Sequence, residues 1–236
     1  MELKLGYIIL TLLMIIAVIS IGFKTINQTF LDNSVIKKKK MILVIGIVLW
    51  QVYIFIVASS GIIATYDLPP RFPLFLIMPA FLFTGIFIYK NRNNAWIQNI
   101  KPSTLIYIQV FRVAVETLFV FSISANVLPK IVTIEGYNFD MLIGLSAPIV
   151  AYLVFSRKML PIKVALLWNY LGLAILASVV ALFITSTFAP NLYGSDIPLI
   201  SLEATRYPYV LIAAFLMPLA VFFHVLSIVQ LSKKQL

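Results

Sequence analysis

"YVLIAAFLMPLAVFFHVLSIVQL", residues 209–231, contains no Asp, Glu, Lys or Arg. A run of this length matches the roughly 20 apolar residues that a helix needs to cross the ~30 Å hydrocarbon core of a bilayer. The pattern recurs along the chain. Segments of this kind lie at about 5–23, 41–63, 74–89, 103–128, 141–156, 164–188 and 209–231. Composition points the same way: 62% of the 236 residues are hydrophobic, 11% are charged and the mean hydropathy is +1.04. That is more apolar surface than one soluble core can hide. The chain therefore reads as a single all-α, polytopic domain over residues 1–236 with seven transmembrane helices. The third and fifth segments are short, which a bilayer accommodates by local thinning or by an upright helix.

The breaks have the chemistry of loops. "KTINQTFLDNSVIKKKK", "ATYDLPPRFP", "KNRNNAWIQNIKP", "PKIVTIEGYNFD", "RKMLPIK" and "APNLYGSDIPLISLEATRYP" hold most of the charged residues and most of the prolines. None is long enough to fold alone. On one set of alternating breaks lie Lys24, Lys37, Lys38, Lys39, Lys40, Lys90, Arg92, Lys101, Arg157, Lys158, Lys163, Lys233 and Lys234. The other set holds only Lys4, Arg71, Lys130 and Arg206. The positive-inside rule then puts the first set in the cytoplasm, the amino terminus outside and the carboxyl terminus inside a bacterial plasma membrane. The first segment has its basic flank after the apolar run and no small-x-small site, so it reads as a span and not as a cleaved signal peptide. The cluster Lys37, Lys38, Lys39 and Lys40 reads first as a topology anchor, and it also offers anionic lipid about 1 kcal/mol per residue near the surface.

Several classes fall away. A net charge of +10 does not indicate nucleic acid, because the basic residues punctuate apolar runs and are not interleaved with aromatics. The absence of cysteine excludes thiolate catalysis, thiolate zinc sites and iron–sulfur clusters. The last segment has no lysine for a retinal Schiff base, and one histidine cannot make a multi-histidine zinc site or a bis-histidine haem. No nucleotide-binding motif is present, and no cofactor is expected.

The residues that cost most in lipid are the candidates for function. "IQVFRVAVETLF", residues 108–119, carries Gln109, Arg112 and Glu116 on one helical stripe. At 1.5 Å per residue from its cytoplasmic end, Arg112 lies about 13 Å in and Glu116 near the middle. A lone charge there costs roughly 2.5–3.5 kcal/mol on insertion scales, so the stripe must face the bundle interior, where the i, i+4 charges offset one another. Gln51, Asn169 and His224 fall at a similar depth on three other segments. Together the six define a candidate solute-binding layer. Gln51 and Asn169 also have an ordinary reading as interhelical hydrogen bonds worth about 0.6–2 kcal/mol, and His224 has one as a buried donor and acceptor.

Pro79, Pro148 and Pro218 fall in the third, fifth and seventh segments, where they either pack against repaired backbone or splay an outer vestibule. "FLIMPAFLF" echoes "AFLMPLAVFF" faintly, as a parallel repeat would. In "IEGYNFDMLIGLSAP", Glu135, Asn138 and Asp140 are too sparse for a calcium loop; a solvated loop with Asp140 at the start of a helix is the expected role.

With those strings in hand, "LPPRFP", "FRVAVE", "EGYNFDMLIGLSAPIVAY", "LLWN" and the proline and histidine of the last segment resemble an uncharacterised family of small bacterial seven-span integral membrane proteins. The resemblance runs over most of residues 66–230. It implies that Arg112, Glu116, Asn138, Asp140, Pro148, Asn169 and His224 are family positions, and it brings no activity. Members often carry a basic residue where Tyr137 stands here. The function expected from the residues is binding or translocation of a small polar or amphiphilic solute. The alternatives are an intramembrane lipid-modifying enzyme with His224 and Glu116 as acid and base, and a non-catalytic membrane assembly partner.

Overall fold

The computed structural model describes residues 2–233, so Lys234 of the basic set lies outside them. The described residues form helices and no strands. In chain order they are α1 (Glu2–Thr29), α2 (Asn33–Ser59), α3 (Pro73–Asn91), the short α4 (Ala95–Asn99), α5 (Pro102–Ser124), α6 (Asp140–Ser156), α7 (Ile162–Phe188) and α8 (Ile212–Ser232). Each of the seven segments read from the sequence falls on one helix. Six of these are long and apolar enough to cross a membrane, and α6 is shorter. The chain is thus a multi-pass helical membrane protein in class.

One boundary moves. The lysine cluster lies within α2 and not in a loop, because Asp32 caps that helix by accepting from the Ser34 amide at 2.7 Å. That bond also holds the exposed Asp32 carboxyl below its ordinary range.

The helices turn back at two ends. At the basic end, Asn99 Nδ2 donates to Thr29 Oγ1 at 2.9 Å, and Gln230 Nε2 donates to the Ile97 and Ile100 carbonyls at 2.6 Å each. At the opposite end Tyr66 OH donates to the Ile200 carbonyl at 2.9 Å, and Lys4 pairs with Glu203 at 3.2 Å. The centre of the bundle is α8, which packs against α3, α5 and α7. Of its apolar window 56% is buried, against 11% for α2, so α2 is peripheral.

The helix breaks in α3 and α8 follow from proline. Each begins with a wide π turn, Pro73–Ile77 and Ile212–Leu216, just before Pro79 and Pro218. Proline cannot donate to the carbonyl four residues back and crowds it, and a wider turn relieves the clash. The carbonyls so deprived are those of Phe75 and Ala214. Both are met from α2: Tyr53 OH donates to Phe75 at 2.8 Å and Trp50 Nε1 to Ala214 at 3.1 Å. This is the repair that a membrane interior demands.

The segment between α5 and α6 is not the solvated loop expected of it. Val127, Leu128, Val132, Thr133 and Asn138 are all buried, so this connection folds into the bundle. Gly136 allows it: a Cβ there would sit 2.5 Å from the Ile131 Cα and 2.6 Å from its carbonyl oxygen, both backbone atoms. Gly136→Ala is therefore expected to lower the thermal unfolding midpoint of the detergent-solubilised protein, at a cost of about 1–3 kcal/mol for overpacking. Gly46→Ala, where a Cβ meets nothing within 4 Å, should leave the midpoint in place.

Candidate functional site

Along α5 the stripe of Gln109, Arg112 and Glu116 is fully inward, with Gln109 at 0% exposure and both charged residues at 1%. The three side chains then part company. Gln109 Nε2 donates to the Ala220 carbonyl of α8 at 3.1 Å, and its Oε1 has no partner among the described residues.

Arg112 does not pair with Glu116. Its Nε donates to Asp140 Oδ2 at 2.9 Å and its Nη2 to Asp140 Oδ1, a two-pronged ion pair with the first residue of α6. Its Nη1 donates to His224 Nε2 of α8, 2.8 Å away. The imidazole tautomer follows, because guanidinium only donates. Nε2 accepts, Nδ1 carries the proton, and Nδ1 donates to Asn169 Oδ1 of α7 at 2.9 Å. Asn169 Nδ2 closes the chain on the Ala165 carbonyl at 2.7 Å and Ser227 Oγ at 3.1 Å. One network thus joins α5, α6, α7 and α8. Gly172 lets α7 approach α8 here, since a Cβ would overlap the His224 ring. Trp168 covers that ring from a centroid distance of 5.3 Å and is itself fixed by Nε1 donating to Ser146 Oγ at 2.9 Å.

Glu116 serves the buried connection. Its carboxylate accepts from the Ile134 amide and from Asn138 Nδ2, the latter at 3.1 Å. Asn138 Oδ1 accepts in turn from the Asp140 amide at 2.9 Å. Buried backbone donors need acceptors, and here a carboxylate supplies one. The expected i, i+4 neutralisation is absent because each charge has a better placed partner on the segment leading into α6. His224 and Glu116, the supposed acid and base, share no hydrogen bond.

Gln51 stands apart from the layer. Its helix is peripheral, no hydrogen bond joins it to the network, and its Nε2 is buried without a partner among the described residues. Glu135, Asn138 and Asp140 do not converge as cation ligands either. Glu135 pairs with Lys130 at 3.2 Å, while the other two face the protein interior. The sequence reading of the layer left out Asp140 and Asn138. The signal was the shortness of the fifth segment: a helix too short to run from face to face begins inside, and so does its first residue.

Beside the ion pair is a cavity of about 130 Å³. Arg112, Asn138 and Asp140 supply its polar face, while Phe111, Phe119, Leu176, Phe183, Leu216 and other apolar side chains form the walls. The lining extends to Tyr66 and Thr205 at the end opposite the lysines. Of the five guanidinium N–H groups, three are engaged as described, which leaves two outside these hydrogen bonds. Comparison of the chain with protein-family models, with curated proteins and with solved structures finds no match.

Removing one member of the pair strands a buried charge, at about 3–5 kcal/mol. Arg112→Met and Asp140→Leu are each expected to lower the unfolding midpoint strongly, and the double variant to lose far less than the sum. The same cycle run with Glu116→Gln in place of Asp140→Leu should give the smaller coupling, which identifies the true partner of Arg112.

Proposed function

We propose that this is a seven-span protein of the bacterial plasma membrane, with its amino terminus outside and its carboxyl terminus in the cytoplasm, that binds and passes a small amphiphilic solute. The thirteen-to-four bias of basic residues supports the orientation, and Lys233 of that set donates to the carbonyl of Arg92, another member, which agrees with it. The apolar run of α6, short as it is, supports the seventh span, with its buried amino end completed by the folded-in connection. Lys37, Lys38, Lys39 and Lys40 in α2 then stand at the cytoplasmic surface, where anionic lipid would meet them.

One observation carries the solute reading. The most expensive group in the membrane interior, Arg112, lines an apolar cavity together with its counter-ion. Intramembrane ions of this kind mark solute pathways. In this reading the polar part of the solute takes the free N–H groups of Arg112 and the aromatic walls take its hydrocarbon. Asp140 keeps the site neutral when empty. His224 and Asn169 hold the guanidinium from behind, so that a ligand drawing Arg112 forward pulls on α7 and α8 as well. Glu116 acts one step away, by holding Asn138.

A second reading is an assembly tie, favoured by the partners that Asp140, His224 and Asn169 already have within the network. A ligand screen separates the two. Hexanoate, hexanol and their close homologues would be tested for stabilisation of the purified protein in mild detergent. A ligand at about 100 times its Kd adds about 2.7 kcal/mol, several degrees for a chain of this size. The expected result is a shift with at least one of them that is lost in Arg112→Gln/Asp140→Asn. If none shifts the wild-type midpoint beyond that of the double variant, the solute reading fails and the tie remains.

A further inference from the structure

Both α3 and α7 pack against α8, yet no comparable packing joins them to each other. The gap is a groove along α3 from Pro73 to Lys90, closed on its far side by Val180 and Ile184 of α7. At 1.5 Å per residue it extends about 25 Å, most of the ~30 Å hydrocarbon core. Its walls are almost wholly apolar, and Met78, Leu82 and Ile86 there are about half exposed. Gly85 borders open space at its middle, where a Cβ would meet nothing within 4 Å.

The groove is not isolated from the polar site. Pro73, Ile77, Val180 and Ile184 line both it and the cavity beside Arg112, so one set of side chains forms the wall between them. A slot facing the bilayer at this depth is filled by hydrocarbon, because an empty one would forfeit its van der Waals contacts. The volume of the cavity limits what that hydrocarbon can carry. At about 130 Å³ it is close to the ~150 Å³ that holds one benzene ring. A phosphocholine head is much larger than that ring, whereas a carboxyl or hydroxyl is smaller and can accept from the remaining guanidinium donors.

We propose that the gap between α3 and α7 is a lateral portal, through which a membrane-dissolved lipid with one hydrocarbon chain and a carboxyl or hydroxyl head enters the bundle. The head reaches Arg112 and the chain stays in the groove. This inference rests on the reading of the cavity as a ligand site, and it adds the source and class of the ligand.

The test uses the full chain in phosphatidylcholine nanodiscs with palmitate bearing a photoactivatable diazirine in its chain. Labelling is expected to saturate, to be competed by oleate, and to concentrate on the groove faces of α3 and α7. Gly85→Trp and Leu82→Trp, at positions that line the groove and not the cavity, should each cut it by about tenfold or more while leaving stabilisation by hexanoate in detergent intact, which shows that the cavity survives. Saturable labelling that neither variant reduces overturns the portal and leaves the cavity reading standing. Unsaturable labelling spread equally over the outer faces of α1 and α2 marks ordinary surrounding lipid and also overturns it. If hexanoate gives no stabilisation of the wild type and palmitate labelling does not saturate, the cavity reading falls and takes the portal with it.

Discussion

A guanidinium in hydrocarbon must be met by acceptors on every side that lacks water, and the architecture around Arg112 answers that requirement. The two-pronged contact with Asp140 needs the start of α6 at the depth of the middle of α5. A helix beginning there must be reached by chain that has itself descended into the bundle. The segment from Ala125 to Phe139 does so, and its buried backbone creates a second requirement, which Glu116 meets at Ile134. The two charges of α5 are therefore coupled through the same piece of chain without touching each other. Arg112 fixes its far end and Glu116 its middle. Gly136 is the local concession that lets the chain fold so tightly.

The other side of the guanidinium faces α8, and the demands on that helix differ. As the most buried helix it must carry Pro218, His224 and Gln230 where no solvent can satisfy them. Each is relieved by a different neighbour: Trp50 of α2 for the carbonyl that Pro218 deprives, Asn169 of α7 for His224, and the Ile97 and Ile100 carbonyls for Gln230. Polar contacts between membrane helices are individually modest. Distributed along one central helix, they fix its rotation and register against these three neighbours.

How much of this could be read from residues alone depends on what a single helix can reveal. Apolar length located all seven helices to within a few residues at most ends, because the hydrocarbon thickness is a property of the solvent and not of the fold. The inward face of Gln109, Arg112 and Glu116 was also legible, since spacing along one helix fixes a stripe. Depth counting placed His224 and Asn169 near Arg112, and they do meet it in one network. The same count included Gln51, whose level says nothing about the rotation of α2 or its place at the periphery. It omitted Asp140, which looked like a loop residue at the mouth of a helix. Pairing depends on where a neighbouring helix begins and which way it leans, and neither leaves a periodicity in the sequence. The lysine cluster shows the converse limit: its charge implied a loop, while the cap at Asp32 had already started a helix.

The pair that holds the fold together is also the polar face of the cavity, and these roles are compatible for a reason of charge. A buried guanidinium without a counter-ion would destabilise the empty protein and bind any anion indiscriminately. A guanidinium fully enclosed by acceptors would bind nothing. With Asp140 and His224 engaging three N–H groups and two left over, the site is neutral overall and still a donor. Such a site favours a ligand that brings an acceptor and its own apolar bulk over a bare inorganic anion, whose lost hydration the residual donors cannot replace. The apolar walls act in the same direction. The cost of burying charge in this bundle is thus met mostly by the protein's own groups, and the proposed ligand reading rests on the donor capacity that remains.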